Sequence, residues 1–118
     1  MKQFMAVFIS SDSDEKRKKW DALDENSKQA RENEGKTAWM KWAMKNSSAI
    51  VDQGAPLGKT KRVNEQGTSD IKNKLTAYTV VRAESHEAAV KLFLDHPHFT
   101  IFPGDSVEIM ECLPMPKL

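Results

Sequence analysis

The stretch Leu75-Thr76-Ala77-Tyr78-Thr79-Val80-Val81-Arg82-Ala83 decides the fold, because β-branched and aromatic residues dominate it and predict a strand. A second run, Phe4 to Ile9, is apolar at every position. A strand of that kind needs cover on both faces. These two strands are therefore expected at the centre of one sheet.

Two helical regions separate the strands. Residues 15–34 are rich in charge and predict a mostly exposed helix, which Gly35 is expected to interrupt before a second piece over 37–46. The next helix is expected to begin at Ser85, a typical N-cap residue. It should end by Asp95, because Pro97 disfavours helical geometry in the residue before it.

The remaining segments complete an α+β pattern. Residues 49–51 and 106–112 predict further strands, 59–63 predicts an edge strand, and 64–74 predicts a long loop or a hairpin tip. The order strand, helix, strand, strand, helix, strand predicts a ferredoxin-like (βαββαβ) antiparallel sheet with helices on one face. We expect one domain over residues 1–118.

Helices on one face leave the other face of the sheet apolar, with Met5 and Val7 or their neighbours exposed. Such a patch is unusual in a monomer and favours a homodimer, which would form a dimeric α+β barrel with a cleft between sheet and partner. The alternative is that the polar loop and the tail of the same chain cover this face.

Composition narrows the possible partners and compartment. Lys and Arg number 18 against 17 Asp and Glu, a net charge of +1 that predicts binding neither to nucleic acid nor to an anionic membrane surface. No apolar run approaches the ~20 residues that span a bilayer. The single Cys112 predicts a reducing, cytoplasmic setting, no internal disulfide and no cysteine-based metal site.

Several short motifs, taken in order, resemble those of the YCII-related proteins. They are Trp39-Met40-Lys41-Trp42, Val51-Asp52-Gln53-Gly54-Ala55-Pro56-Leu57-Gly58, Ala77-Tyr78, Ala88-Ala89, His96-Pro97-His98 and Val107-Glu108-Ile109 with Glu111. The resemblance implies a dimeric α+β barrel and little about chemistry, although some members are suspected of catalysis through a His and an Asp near a cleft. The first helix of this sequence contains no His, so the catalytic His–Asp pair suspected in those members cannot be assigned to it.

His96 and His98 are candidate acid–base residues, because imidazole titrates near neutrality. On an extended segment they would point to opposite sides, so that one of them at most would face a cleft. The alternative is that His96 caps the preceding helix. A metal site is disfavoured, since it needs three or four converging ligands.

Asp52 could orient a histidine or act as a base, or could instead form an Asx-turn before Gly54. Trp39 and Trp42 could line a ligand pocket or anchor a helix on the sheet. Tyr78 could hydrogen-bond a ligand or pack across strands.

Two hypotheses of function follow. The first is a small cofactor-independent enzyme or small-molecule-binding protein, with Asp52, His96 and His98 in the chemistry and the three large aromatic residues as walls. The second is a non-catalytic regulatory or assembly module whose dimer surface is its function.

Overall fold

The computed structural model describes residues 1–11 and 14–117. Its elements, in chain order, are β1 Lys2–Ser10, α1 Asp14–Asp21, α2 Glu25–Lys45, β2 Ile50–Pro56, β3 Thr60–Asn64, β4 Gly67–Ile71, β5 Leu75–Ala83, α3 His86–Lys91, α4 Pro97–Thr100 and β6 Gly104–Glu111. No helix in the described residues is long and apolar enough to cross a membrane.

The main sheet has the order β2-β5-β1-β6, and all its pairings are antiparallel. The two most apolar strands of the sequence, β1 and β5, are central, as predicted. Phe4 of β1 lies opposite Val81 of β5, and both are fully buried. The burial of the Phe4 side chain contributes about 2–3 kcal/mol to the stability of the fold. The chain thus has the predicted α+β fold with a ferredoxin-like antiparallel sheet.

The first helical region is in two pieces, as predicted, but the prediction that Gly35 separates them is wrong. The break lies at residues 22–24, because Asp24 caps α2 and its carboxylate accepts a hydrogen bond from the Ser27 N–H at 2.6 Å. Gly35 stays inside α2 and buried, since a Cβ there would lie 2.4 Å from the ring of Phe102. The glycine makes room for that ring instead of ending the helix.

Segment 59–74 also differs from the prediction. β3 does not pair with the edge of the main sheet but with β4, in a separate two-stranded sheet. The turn between them is built by Asn64, whose side-chain oxygen accepts from the Gln66 N–H, and by Gly67 at a φ of 115°. A hairpin tip was one of the two alternatives predicted for residues 64–74, and a long loop was the other.

The face of the sheet opposite the helices carries exposed apolar side chains. Met5 and Met110 face each other across β1 and β6 and are 36 % and 46 % exposed. Val80 lies opposite Met5 on the other side, and is only partly buried. We refer to the surface of these three residues and Val7 as the open face.

Candidate functional site

One face of α2 lines a gap between that helix and the β2–β5 edge of the sheet. Lys36, Trp39, Met40 and Ala43 occupy positions i, i+3, i+4 and i+7, which a helix places on one side. The indole of Trp39 packs on Phe8 of the sheet, at a ring-centroid distance of 4.8 Å. Trp39 therefore anchors α2 and lines the gap at once.

The opposite wall is the irregular strand β2. Its register with β5 shifts between Asp52 and Ala55, and Gly54 lies at a φ of 71° in between. Asp52 accepts a hydrogen bond from the Gly54 N–H at 2.8 Å, which is the Asx-turn alternative. A Cβ on Gly54 would lie 1.8 Å from the Tyr78 carbonyl oxygen, so only glycine allows β2 to lie this close to β5.

Between these walls lies a cavity of about 580 Å³. Its lining is mostly apolar and includes both indoles of α2. Other residues that line it are Ile50, Ala55, Ala77, Tyr78, His98 and Phe102. The cavity lies on the helix side of the sheet, whereas the sequence predicted a cleft on the open face.

His96 is buried beneath the two indoles. Its ring centroid lies 4.5 Å from that of Trp39 and 4.7 Å from that of Trp42, nearly at right angles to the first. Nδ1 accepts a hydrogen bond from the His98 N–H at 3.0 Å, so His96 caps α4 and not the preceding helix. Burial, with a smaller effect of His98, lowers the pKa of His96 to about 3, and the ring is uncharged at neutral pH.

The hydrogen of this uncharged ring resides on Nε2, because Nδ1 is an acceptor. Nε2 is buried and has no hydrogen-bond partner in the described part of the chain. An N–H group beside aromatic rings gains only a weak interaction from them. The ring of His96 is therefore held by packing against Trp39 and Trp42 and by its bond to the α4 backbone.

His98 lies in the lining of the cavity. Its Nε2 donates to the Ile9 carbonyl at 2.8 Å, which ties α4 to the end of β1. Gly104 makes room for the ring, since a Cβ there would lie 2.3 Å from it. Burial lowers the pKa of His98 and the charge of Lys16 lowers it further, against opposing effects that include the Ile9 bond.

The expectation that the two histidines point to opposite sides is wrong. It assumed an extended segment, but Pro97 begins the short helix α4. Both imidazoles contact Phe8, at centroid distances of 5.0 and 5.2 Å, and both contact Trp39. The histidine pair is part of one aromatic cluster.

The structure brings four of the six predicted site residues to the cavity: Trp39, Trp42, Tyr78 and His98. Asp52 is exposed and His96 is fully buried, and neither lines it. Sequence reasoning missed Lys36, because the helical piece predicted over 37–46 begins one residue after it. Its spacing of three residues from Trp39 was the signal that could have placed it there.

The cavity offers an apolar, aromatic space with one uncharged imidazole. In the described residues, no three His, Cys, Asp or Glu side chains are grouped so that they could hold a metal ion. The arrangement is suited to holding a flat organic molecule by packing, with His98 as a neutral hydrogen-bonding group beside it.

Comparison with solved structures finds chains of similar fold. The chain is similar in fold to a dehydrochlorinase. That protein is 5-chloro-2-hydroxyhydroquinone dehydrochlorinase (TftG) from Burkholderia phenoliruptrix AC1100, in complex with 2,5-dihydroxybenzoquinone. The TM-score is 0.51 at 11 % identity, over 91 % of this chain and 89 % of the other. No protein-family model and no curated protein matches the sequence significantly. The likeness supports the α+β fold class.

The two lowered histidine pKa values predict acid sensitivity. In the unfolded chain a histidine titrates near 6.5, whereas the pKa of His96 is about 3 when folded and that of His98 is also lowered. Between these values the unfolded state binds more protons. The free energy of unfolding is therefore greatest above about pH 6.5 and falls as the pH decreases. The fall is about 1.4 kcal/mol per pH unit for each additional proton that the unfolded chain binds.

Urea unfolding across this pH range measures the slope. His96→Asn keeps a side-chain acceptor for the cap of α4 and removes one titrating group, so its slope should be smaller by about one proton. His86→Asn, at an exposed histidine, is the control for loss of an imidazole. A slope in His96→Asn equal to that of the unsubstituted protein would contradict this assignment.

Proposed function

We propose that this protein binds a small, flat, largely apolar molecule in the cavity between α2 and the β2–β5 edge. The observation that carries the proposal is the combination of Trp39 and Trp42 with an uncharged His98 around one volume of about 580 Å³. A volume of that size is within the range of small-molecule sites. The dehydrochlorinase of similar fold was solved with a single-ring quinone, and this is compatible with such a role.

If the bound molecule is also transformed, His98 is the residue positioned to exchange a proton with it. An imidazole with a lowered pKa is a base in its neutral form at physiological pH. We assign positioning roles to the other two predicted residues. Asp52 holds the bulge of β2, and His96 holds the indoles and the first turn of α4.

Filling the cavity tests the proposal. Ala43 is half-buried on the lining face of α2, so Ala43→Leu should place its larger side chain in the cavity. We expect the affinity for 2-naphthalenemethanol and 2-naphthoate, measured by titration calorimetry, to fall about ten-fold or more, with thermal unfolding little changed.

The matched control is Ala30→Leu, on an exposed part of the same helix, which should bind both probes normally. Two results would contradict the proposal: no saturable binding of either probe to the unsubstituted protein, or unchanged binding in Ala43→Leu.

We also propose that the chain forms a homodimer through the open face. Met5 and Met110 form an exposed apolar pair there, flanked by Val80 and Val7. Exposed apolar surface of this kind marks association sites. The same observation supports the second candidate function, a non-catalytic assembly module, which requires the dimer but not the cavity.

A charge on the open face should separate the protomers. Met5→Lys places an ammonium in the proposed interface, and we expect sedimentation equilibrium at micromolar concentration to show a monomer, against a dimer for the unsubstituted protein. Met44→Lys, at a more exposed methionine of α2, should remain dimeric. An unsubstituted protein that sediments at 13.4 kDa would contradict the dimer.

Family and location remain proposals of ours as well. The order of the Trp-x-x-Trp, Asp-x-Gly-Ala-Pro-Leu and His-Pro-His motifs supports membership of the YCII-related proteins. The single cysteine, Cys112, is exposed and free, which is compatible with the proposed cytoplasmic setting.

A further inference from the structure

Lys36 is the one side chain with a full charge that lines the cavity, as far as the described residues show. It lies one helical turn before Trp39 and Met40, on the same face of α2. It is exposed, so its ammonium group can remain hydrated while its stem contacts the apolar lining. The other polar residues of the lining are neutral: Gln53, Thr76, Tyr78, Thr79 and His98.

No carboxylate in the described lining compensates this charge. Within residues 1–11 and 14–117, no Asp or Glu lines the cavity, and no ion pair involves Lys36. By contrast, Arg31 on the same helix is engaged with both Glu34 and the Ile101 carbonyl. The charge at the rim of the cavity is therefore available to a ligand.

We propose that the molecules this cavity selects are aromatic anions. The ring lies against Trp39 and Trp42, and a carboxylate or phenolate oxygen of the ligand accepts a hydrogen bond from the Lys36 ammonium. This inference rests on the proposed function and adds the class of ligand to it. The physical reason is that Lys36 is the one full charge in the described lining, so an anion at the rim gains an attraction that a neutral molecule does not. The attraction is modest because the lysine is exposed.

A cluster of aromatic rings could in principle hold a quaternary ammonium group, since such cations bind to aromatic faces. The lining does not favour that occupant. Lys36 repels a second cation, and no carboxylate in the described lining offsets the repulsion. Binding of a cation in preference to an anion is therefore an outcome that would overturn the inference.

The test compares three probes that share one ring system: 2-naphthoate, its neutral counterpart 2-naphthalenemethanol, and (2-naphthylmethyl)trimethylammonium. Titration calorimetry at low ionic strength should show naphthoate binding about five-fold more tightly than the alcohol, and the cation binding most weakly. Added salt should reduce this preference, because the lysine is exposed.

Variants assign the preference to Lys36. Lys36→Gln should remove the preference for naphthoate over the alcohol, and Lys36→Arg should retain it. Lys41→Gln is the matched control, since Lys41 is an exposed lysine of the same helix that does not line the cavity.

The outcomes separate this inference from the proposed function. Equal binding of naphthoate and alcohol, tighter binding of the cation, or a preference that survives in Lys36→Gln would overturn the aromatic-anion assignment alone. If none of the three probes binds, the proposed function fails together with it.

Discussion

The packing of one uncharged imidazole, that of His96, positions the aromatic side chains beside the cavity. His96 is fully buried, contacts both Trp39 and Trp42, and accepts a hydrogen bond from the His98 N–H. A positive charge on this ring would have no counter-charge among the contacts that the structure describes and would lose the acceptor that caps α4. The position of α4, and with it that of His98, depends on the ring remaining neutral.

Much of the fold could be predicted from the sequence, because its strongest patterns reflect burial. The apolar runs around Phe4 and Val81 identify the central strands, and Ser85 caps α3 through a bond to the Ala88 N–H, as expected. The failures have a common cause. Gly35 does not break α2 and β3 does not pair with the main sheet, because a distant ring and a local turn decide these segments. Amino-acid composition reveals neither the packing of Phe102 on Gly35 nor the turn between β3 and β4.

The sequence predicted aromatic residues that line the cavity, but it did not predict where the cavity lies in the fold. Trp39 and Trp42 stand out at helical spacing, and both line the cavity while packing on the core. The cavity lies between α2 and a part of β2 where the register with β5 shifts and Gly54 closely approaches Tyr78, and the sequence pattern does not show this approach. Lys36 was not among the predicted site residues, because the second helical piece was predicted to begin at residue 37, one position after it.

The protonation of His96 is the most direct test of this account. Nitrogen-15 NMR of the imidazoles at about pH 5 distinguishes a neutral ring from an imidazolium and shows which nitrogen carries the hydrogen. The account predicts a neutral His96 with its hydrogen on Nε2 and an unprotonated Nδ1, because its pKa is about 3. A doubly protonated His96 in the folded protein at that pH, or a hydrogen on Nδ1, would contradict it.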